Sequence, residues 1–285
     1  MFTPDQYQLL DFGEGRKLER FGGVVLDRVC PAAEGAAPLE PASWAKAAAR
    51  YERTTADRGI WQSSQIVPAA LWTISHGPLR LELKLTEFGH LGVFPEQAAN
   101  WDWIADQVRR AAPQPLKVLN LFGYTGGSTL AAAAAGAEVA HVDAARNTVN
   151  WARRNAELSG LAEAPVRWIA EDAILFARRE LKRGRQYEAV VLDPPSYGHG
   201  PKGEIWKLAD DLPELLSLCA ELTEADRRFV LLSCHSPGFG PRELQRLMAQ
   251  AFGENDIETS ELSLRDGAGR KLPCGAMARL HRPSR

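Results

Sequence analysis

The sequence predicts an α/β protein with a Rossmann-like, seven-stranded sheet that ends in an antiparallel C-terminal hairpin, plus a small β-rich N-terminal unit. Three observations predict it. From about residue 115, short apolar runs alternate with helical stretches. The last two apolar runs are joined by a turn, and the region before residue 115 carries hairpin signals. We therefore divide the chain into residues 1–110 and 111–285.

Turn residues and alternation define the first unit. A Gly-Gly pair inside 16–28 predicts a hairpin. Ser43 is a candidate cap for a helix over 47–51. Leucine at every second position over 79–85 predicts a half-buried strand, with 71–75 as its hairpin partner.

The second unit alternates strands and helices. Buried strands are predicted at 118–122, 139–142, 166–170, 189–192 and 229–233. Helices are predicted from the glycine turn to Ala135 and at 148–159, 174–182 and 212–222. Continuous apolar strands separated by helices are typical of a parallel sheet covered on both faces. The runs 257–264 and 275–280, joined through Asp266-Gly267, predict an antiparallel pair.

Composition limits the classes of function. The 285 residues are 45% hydrophobic and 25% charged, as in a globular protein. No apolar run reaches the ~20 residues of a membrane span, and the start lacks a signal-peptide pattern, so we expect a cytoplasmic protein with no membrane partner. The four cysteines lack metal-ligand spacing, so free thiols and no metal are expected. With a net charge of −2, any nucleic acid must meet a local basic patch.

A glycine-rich turn is the strongest motif. Residues 120–128 read N-L-F-G-Y-T-G-G-S, between a strand and a helix. Glycines let the backbone approach a ligand, and the helix N-terminus offers unpaired N–H groups. The G-x-x-G-G spacing differs from the G-x-G-x-x-G of dinucleotide enzymes. A plain tight turn is the alternative.

Two acidic positions follow the next strands. Asp143 ends the second strand, twenty positions after Gly123, where an acid pairs with ribose hydroxyls. Asp172, in Glu171-Asp172-Ala173, suits an adenine amine. For Asp143 the alternative is a helix cap, which the glycine turn makes the weaker interpretation, and Asp172 is equally a candidate cap.

The segment Asp193-Pro194-Pro195-Ser196-Tyr197 follows the fourth strand, at the sheet edge where such folds bind ligands. The prolines hold the backbone extended, so Asp193 and the loop carbonyls can accept from the amine edge of a planar base. Tyr197 can stack on that base. The alternative is a rigid turn with a capping aspartate.

Together these motifs resemble class I S-adenosylmethionine-dependent methyltransferases, and within them the branch that makes 5-methylcytosine in large-subunit ribosomal RNA. The resemblance covers about residues 88–281. It implies that Gly123 and Asp143 hold the methionine and ribose ends, Asp172 lies near adenine and Asp193 at the target base. The G-x-F-x-x-Q segment at 92–97 implies that Gln97 approaches the cofactor. Residues 1–70 show no match to the RNA-binding module of that branch.

Cys234, in S-C-H after the fifth strand, occupies the place of the branch's attacking cysteine in S-C-S. Carbon 5 of cytosine becomes nucleophilic only after a thiolate adds to carbon 6, so this chemistry needs a thiol with a lowered pKa. The alternative is an apolar residue at a strand end. The other cysteines lack such a context.

These interpretations define the predicted site and partners. The cofactor is S-adenosyl-L-methionine, bound by Phe122, Gly123, Tyr124, Thr125, Gly126, Asp143, Asp172, Asp193 and Gln97. The catalytic residues are Cys234 and Asp193, and the substrate is contacted by Pro194, Pro195, Ser196 and Tyr197. The predicted partner is ribosomal RNA with an unpaired or flipped-out base; the sequence does not define the oligomeric state.

Three alternatives stay open at this point: an amine or small-molecule acceptor, an NAD-dependent oxidoreductase, and a non-catalytic binding module. The loop 197–207 is either a substrate contact, through Lys202, Trp206 and Lys207, or a connection. The basic cluster at 178–185 is read as the solvated face of a helix rather than a phosphate site.

Overall fold

The computed structural model describes residues 1–55, 58–63, 71–111 and 114–281. Contacts divide the chain into two compact units. The first contains Met1–Ala98 with Ser263–Cys274, and the second contains Ala99–Leu262 with Gly275–Arg285. Within the described part of the chain, no helix is long and apolar enough to cross a membrane.

The first unit is built from short strands. A five-stranded sheet runs in order from β1 to β5: β1 Tyr7–Gly13, β2 Arg16–Phe21, β3 Val24–Val29, β4 Ala49–Arg53 and β5 Gly59–Ser63. Strands β6 Thr73–His76 and β7 Leu79–Glu82 form a separate hairpin. Helix α1, Pro41–Trp44, is a single turn. The predicted hairpins at 16–28 and 71–85 are confirmed.

The predicted helix at 47–51 is wrong. Ser43 lies inside α1, which ends at Trp44, and the residues that follow form β4. Strand β4 pairs parallel with β3 and antiparallel with β5. Pairing with distant strands therefore overrides the local helix preference of the alanines.

The second unit carries the seven-stranded sheet. In chain order its elements are α2 Ala98–Arg110, β8 Lys117–Leu121, α3 Gly127–Ala134, β9 Glu138–Asp143, α4 Arg146–Leu158, β10 Val166–Ala170, α5 Ala173–Lys182, β11 Ala189–Leu192, β12 Tyr197–His199, β13 Ile205–Lys207, α6 Leu208–Leu222, β14 Phe229–Cys234, α7 Pro241–Phe252, β15 Glu258–Arg265 and β16 Lys271–His281. The sheet order is β10-β9-β8-β11-β14-β16-β15. The strands from β10 to β14 pair in parallel, and β16 runs antiparallel to β14. This confirms the predicted fold class.

The core lies between the parallel strands and the helices. Strand side chains such as Leu121, Leu192 and Leu232 pack with Phe176 of α5 and Leu216 of α6, all buried. The chain moves outward from β8 through β9 to β10, then returns to β11 on the other side of β8. That reversal places a crevice at the carboxyl ends of β8 and β11, where open α/β sheets bind ligands.

The segment 197–207 is an antiparallel hairpin of β12 and β13. The prediction of a loop over 197–207 is therefore wrong, and Trp206 within this segment is buried. The glycines of this segment predicted a loop, whereas the pairing of β12 with β13 depends on contacts that a local sequence pattern does not show.

Candidate active site

The glycine turn between β8 and α3 has an unusual backbone. Phe122 and Tyr124 adopt left-handed conformations, with φ of 56° and 48°, and Gly126 has φ of 94°. Non-glycine residues in this region carry strain and cluster at ligand sites. A Cβ atom on Gly127 would come within 2.4 Å of the Trp101 ring of α2, so the turn needs glycine there as well.

Three buried polar side chains, linked by hydrogen bonds, lie next to the glycine turn. Asn120 Nδ2 donates to Thr129 Oγ1 at 2.7 Å, and the Thr129 hydroxyl lies 2.8 Å from His141 Nδ1. Burial lowers the pKa of His141 to about 3, so the imidazole is neutral. The Thr129 hydroxyl accepts from Asn120 and forms a second hydrogen bond with the neutral imidazole, whose direction follows from the tautomer.

Asp143 joins the turn to the end of β9. Its carboxylate accepts from the backbone N–H of Tyr124 and from that of Ala145, each at 2.9 Å. Burial raises the pKa of Asp143, although these two hydrogen bonds act to lower it. The side chain is half-buried, so a ligand hydroxyl has access to the same oxygens. On the other side of the turn, Asn155 Nδ2 donates to Thr125 O at 2.9 Å.

Two other predicted cofactor residues, Asp172 and Gln97, are a helix cap and a buried residue of the first unit. Asp172 caps α5, because its side chain accepts from Leu175 N at 2.9 Å. Gln97 lies in a short 3-10 helix, Pro95–Gln97, of the first unit and is buried. A cofactor contact of either residue stays a prediction.

Asp193 follows β11 and is held by residues that the sequence analysis did not assign to the site. Ser233 Oγ donates to Asp193 Oδ1 at 2.7 Å, and His235 Nε2 lies 3.3 Å from the same oxygen. The parallel register pairs Leu192 with Leu232, which brings the ends of β11 and β14 side by side. Asp193 and His235 stay 28% and 30% exposed, so both are accessible from the crevice.

Trp206 connects the glycine turn to the loop after Asp193. Its indole N–H donates to Pro195 O at 2.7 Å, and its ring lies 4.8 Å from the Phe122 ring. The Ser196 hydroxyl is 2.6 Å from the Ser236 hydroxyl, which ties the same loop to the segment after β14. The arrangement can therefore hold two ligands, one against the turn and one at Asp193.

Cys234 lies on the face of β14 opposite to that of Ser233. Its neighbour Ser233 bonds to Asp193, and successive strand residues point to opposite faces. The Cys234 side chain is fully buried in the apolar core and accepts a long bond, 3.5 Å, from Ser236 N. Burial raises the pKa of the Cys234 thiol. Its role as a nucleophile stays a prediction.

Comparison with known proteins places the chain among methyltransferases. The sequence model described as S-adenosylmethionine-dependent methyltransferase matches residues 34–252. A solved S-adenosylmethionine-dependent methyltransferase from Agrobacterium tumefaciens superposes with a TM-score of 0.90 at 37% identity, covering 98% of this chain and 91% of that one. SMU.776 in complex with SAH shares the fold, with a TM-score of 0.75 at 16% identity over 96% of this chain and 75% of that one.

Curated relatives match over a shorter stretch. Ribosomal RNA large subunit methyltransferase I of Aeromonas salmonicida (strain A449) is 36% identical over 36% of this chain and 24% of its own length. Ribosomal RNA large subunit methyltransferase K of Neisseria meningitidis serogroup B is 31% identical over 39% of this chain and 32% of its own length. The chain thus matches less than a third of either relative.

Proposed function

Because this chain belongs to the S-adenosylmethionine-dependent methyltransferase family, we propose that it methylates an unpaired base of large-subunit ribosomal RNA, held at Asp193. Membership in this family rules against two alternatives from the sequence analysis, an NAD-dependent oxidoreductase and a non-catalytic binding module. The observation that carries the proposal is the accessible Asp193 carboxylate, fixed by Ser233 beside His235, across the crevice from the glycine turn. The names of the curated relatives support ribosomal RNA as the substrate class.

The protein uses S-adenosylmethionine as its methyl donor. The glycine turn fits this group: Gly123 has no room for a side chain, and the neighbouring N–H groups at the start of α3 suit a carboxylate. We assign Phe122 to Gly126 to the methionine end and Asp143 to the ribose hydroxyls. When bound, the sulfonium supplies an electrophilic methyl group.

The geometry best supports transfer to an exocyclic nitrogen of the base. Asp193 can accept an N–H of that amine and hold its lone pair toward the methyl group. The new N–C bond would form as the S–C bond of the donor breaks to leave SAH, and the surplus N–H proton would pass to the Asp193 carboxylate. The Pro194 and Pro195 backbone, braced by Trp206, keeps loop carbonyls in place for the remaining N–H. Positioning of this kind is a major source of rate enhancement in bimolecular transfer.

Carbon 5 of cytosine is the second candidate target. The position of Cys234 at the carboxyl end of β14, with its bond from Ser236 N, favours it. For this reaction the thiol must become exposed and ionised, against the burial that raises its pKa. We therefore expect iodoacetamide to label Cys234 in the native protein at least about tenfold more slowly than in the unfolded protein.

Nucleoside analysis tests the proposal. Ribosomal RNA from cells that lack the protein is incubated with purified protein and methyl-labelled donor, and the digested nucleosides are examined by mass spectrometry. We expect label on an exocyclic base nitrogen, loss of labelling in Asp193→Asn, and unchanged labelling in Cys234→Ala. Asp210→Asn, at an exposed position of α6, is the matched control.

Other outcomes would redirect or reject the proposal. Label in 5-methylcytosine, together with a covalent adduct on 5-fluorocytosine RNA that Cys234→Ser abolishes, would establish the second candidate. Donor turnover with a small-molecule amine and no label in any RNA would reject ribosomal RNA as the substrate.

A further inference from the structure

The hairpin of β12 and β13 has two chemically different faces. Its register places Tyr197 opposite Lys207, Gly198 opposite Trp206 and His199 opposite Ile205. Because side chains alternate along a strand, Trp206 lies on the inner face, and the side chains of the other two pairs lie outward. The inner face is buried against Phe122 and the Pro195 carbonyl. The outer face has no such cover.

The outer face combines aromatic rings with an exposed apolar side chain. Tyr197 and Ile205 are 52% and 56% exposed, and His199 and Lys207 are exposed as well. The Tyr197 and His199 rings meet edge to face, with centroids 5.1 Å apart. A hairpin that exposes several large side chains on one face is typical of an interaction surface.

The charges of the hairpin suit a polyanion. Residues 197–207 contain two lysines and one glutamate, in a chain whose net charge is −2. Glu204 is engaged inside the turn, where its carboxylate accepts from Lys202 N at 2.8 Å. Lys202 and Lys207 are exposed, so the exposed charges of residues 197–207 are positive.

The position of the hairpin ties this surface to the acceptor. Tyr197 follows Ser196 directly, and the inner Trp206 bonds to the carbonyl of Pro195. Four positions separate Asp193 from Tyr197, a span of at most about 14 Å, so RNA that adjoins a base held at Asp193 lies within reach of Tyr197.

We propose that the outer face of this hairpin, formed by Tyr197, His199, Ile205 and Lys207, binds the unpaired RNA nucleotides that adjoin the target base. This proposal rests on the proposed function and specifies its substrate as a single strand. Stacking on aromatic rings accepts any base, because every base has a π face, and the lysines contact the phosphates. The surface then contributes affinity, while Asp193 selects the base.

Binding of a labelled single-stranded RNA to the whole protein tests the surface. Fluorescence anisotropy with a probe of about 12 nucleotides of mixed sequence, in the presence of SAH, compares wild type with Tyr197→Phe and Tyr197→Leu. We expect the phenylalanine variant to bind like wild type and the leucine variant about tenfold more weakly, since leucine keeps apolar area but lacks a ring. Phe88→Leu, at an exposed aromatic of the first unit, is the matched control and should bind normally.

Two further measurements test which form of RNA binds to this face and how the lysines contribute. The same RNA in a duplex should bind more weakly, and a Lys202→Ala/Lys207→Ala variant should lower the salt dependence of binding. Equal binding by the leucine and phenylalanine variants would overturn the proposal. Failure of the wild-type protein to bind the single-stranded RNA would overturn it as well. If wild type methylates ribosomal RNA while Tyr197→Leu binds and methylates it normally, only this inference fails. If wild type methylates no RNA, the proposed function fails with it.

Discussion

His141 lies directly beneath Gly123: a Cβ atom on Gly123 would come within 2.5 Å of two atoms of the imidazole ring. The ring cannot move away easily, because it is fully buried and its Nδ1 is bonded to Thr129. The height of the glycine turn above the sheet is thus set by a histidine of the neighbouring strand.

Gly123→Ala should therefore weaken SAH binding by at least about tenfold, as the turn is pushed toward the ligand. Calorimetric titration with SAH measures this. Gly240→Ala is the matched control, because no atom lies within 4 Å of its added Cβ. Adding His141→Ala to Gly123→Ala should restore part of the affinity; a double variant that binds no better than the single one would show that the ring is not the obstacle.

Asp143→Asn should weaken SAH binding by about 10- to 100-fold, because hydrogen bonds to a charged acceptor are strong. Burial raises the pKa of Asp143, and the ionised form is the one that accepts from Tyr124, Ala145 and a ribose. Affinity should consequently fall as the pH drops from about 7.5 to about 5. The measurement is the SAH dissociation constant across that range. A variant with the same pH profile as wild type would assign the titration to another group.

His235 and Ser233 should act by fixing Asp193. His235→Phe removes the imidazole near Asp193 Oδ1, whereas His235→Gln keeps an N–H donor there. We expect the phenylalanine variant to lose about 10- to 100-fold in kcat and the glutamine variant to recover most of it, with SAH affinity unchanged in both. Steady-state methylation kinetics together with SAH titration test this. Equal loss in both variants would contradict positioning and point to proton transfer by the imidazole.

Glu19 should stabilise the first unit. Its buried carboxylate accepts from Tyr7 and Arg28 and pairs with Lys17. Burial acts to raise the pKa of Glu19, but Arg28 and Lys17 outweigh it and hold the pKa below the ordinary 4.5. Glu19→Gln leaves Arg28 buried without its counter-ion, so the free energy of unfolding should fall by about 3 kcal/mol.

Chemical denaturation measures this change. Glu87→Gln, at an exposed ion pair with Arg58, should cost less than about 1 kcal/mol. Since the folded-state pKa is lowered, the contribution of Glu19 is present above pH 4.5 and is lost as the pH falls below it. A stability curve of Glu19→Gln that parallels wild type through that acid range would contradict the assignment.

Local pattern predicted the second unit well. The apolar runs, the glycine turn and Asp143 lie in short, continuous segments. The runs form the strands, and the turn and Asp143 stand at the ends of β8 and β9. Patterns of this kind do not show which strands become neighbours. Ser233 and His235 reach Asp193 only because β14 pairs with β11, forty residues away along the chain.

The errors have the same origin. Alanines near residue 49 favour a helix locally, yet they form β4 because β3 and β5 offer a sheet to join. The glycines around residue 200 indicate a loop, yet Trp206 and Pro195 fold the segment into a hairpin.

The sequence by itself determined the fold class and the place of the glycine turn, because hydrophobic periodicity and glycine positions act over a few residues. Tertiary structure alone decided the surroundings of Asp193, the burial of Cys234 and the outward face of Tyr197. Those properties depend on strand register and side-chain direction, which arise only when distant segments pack together.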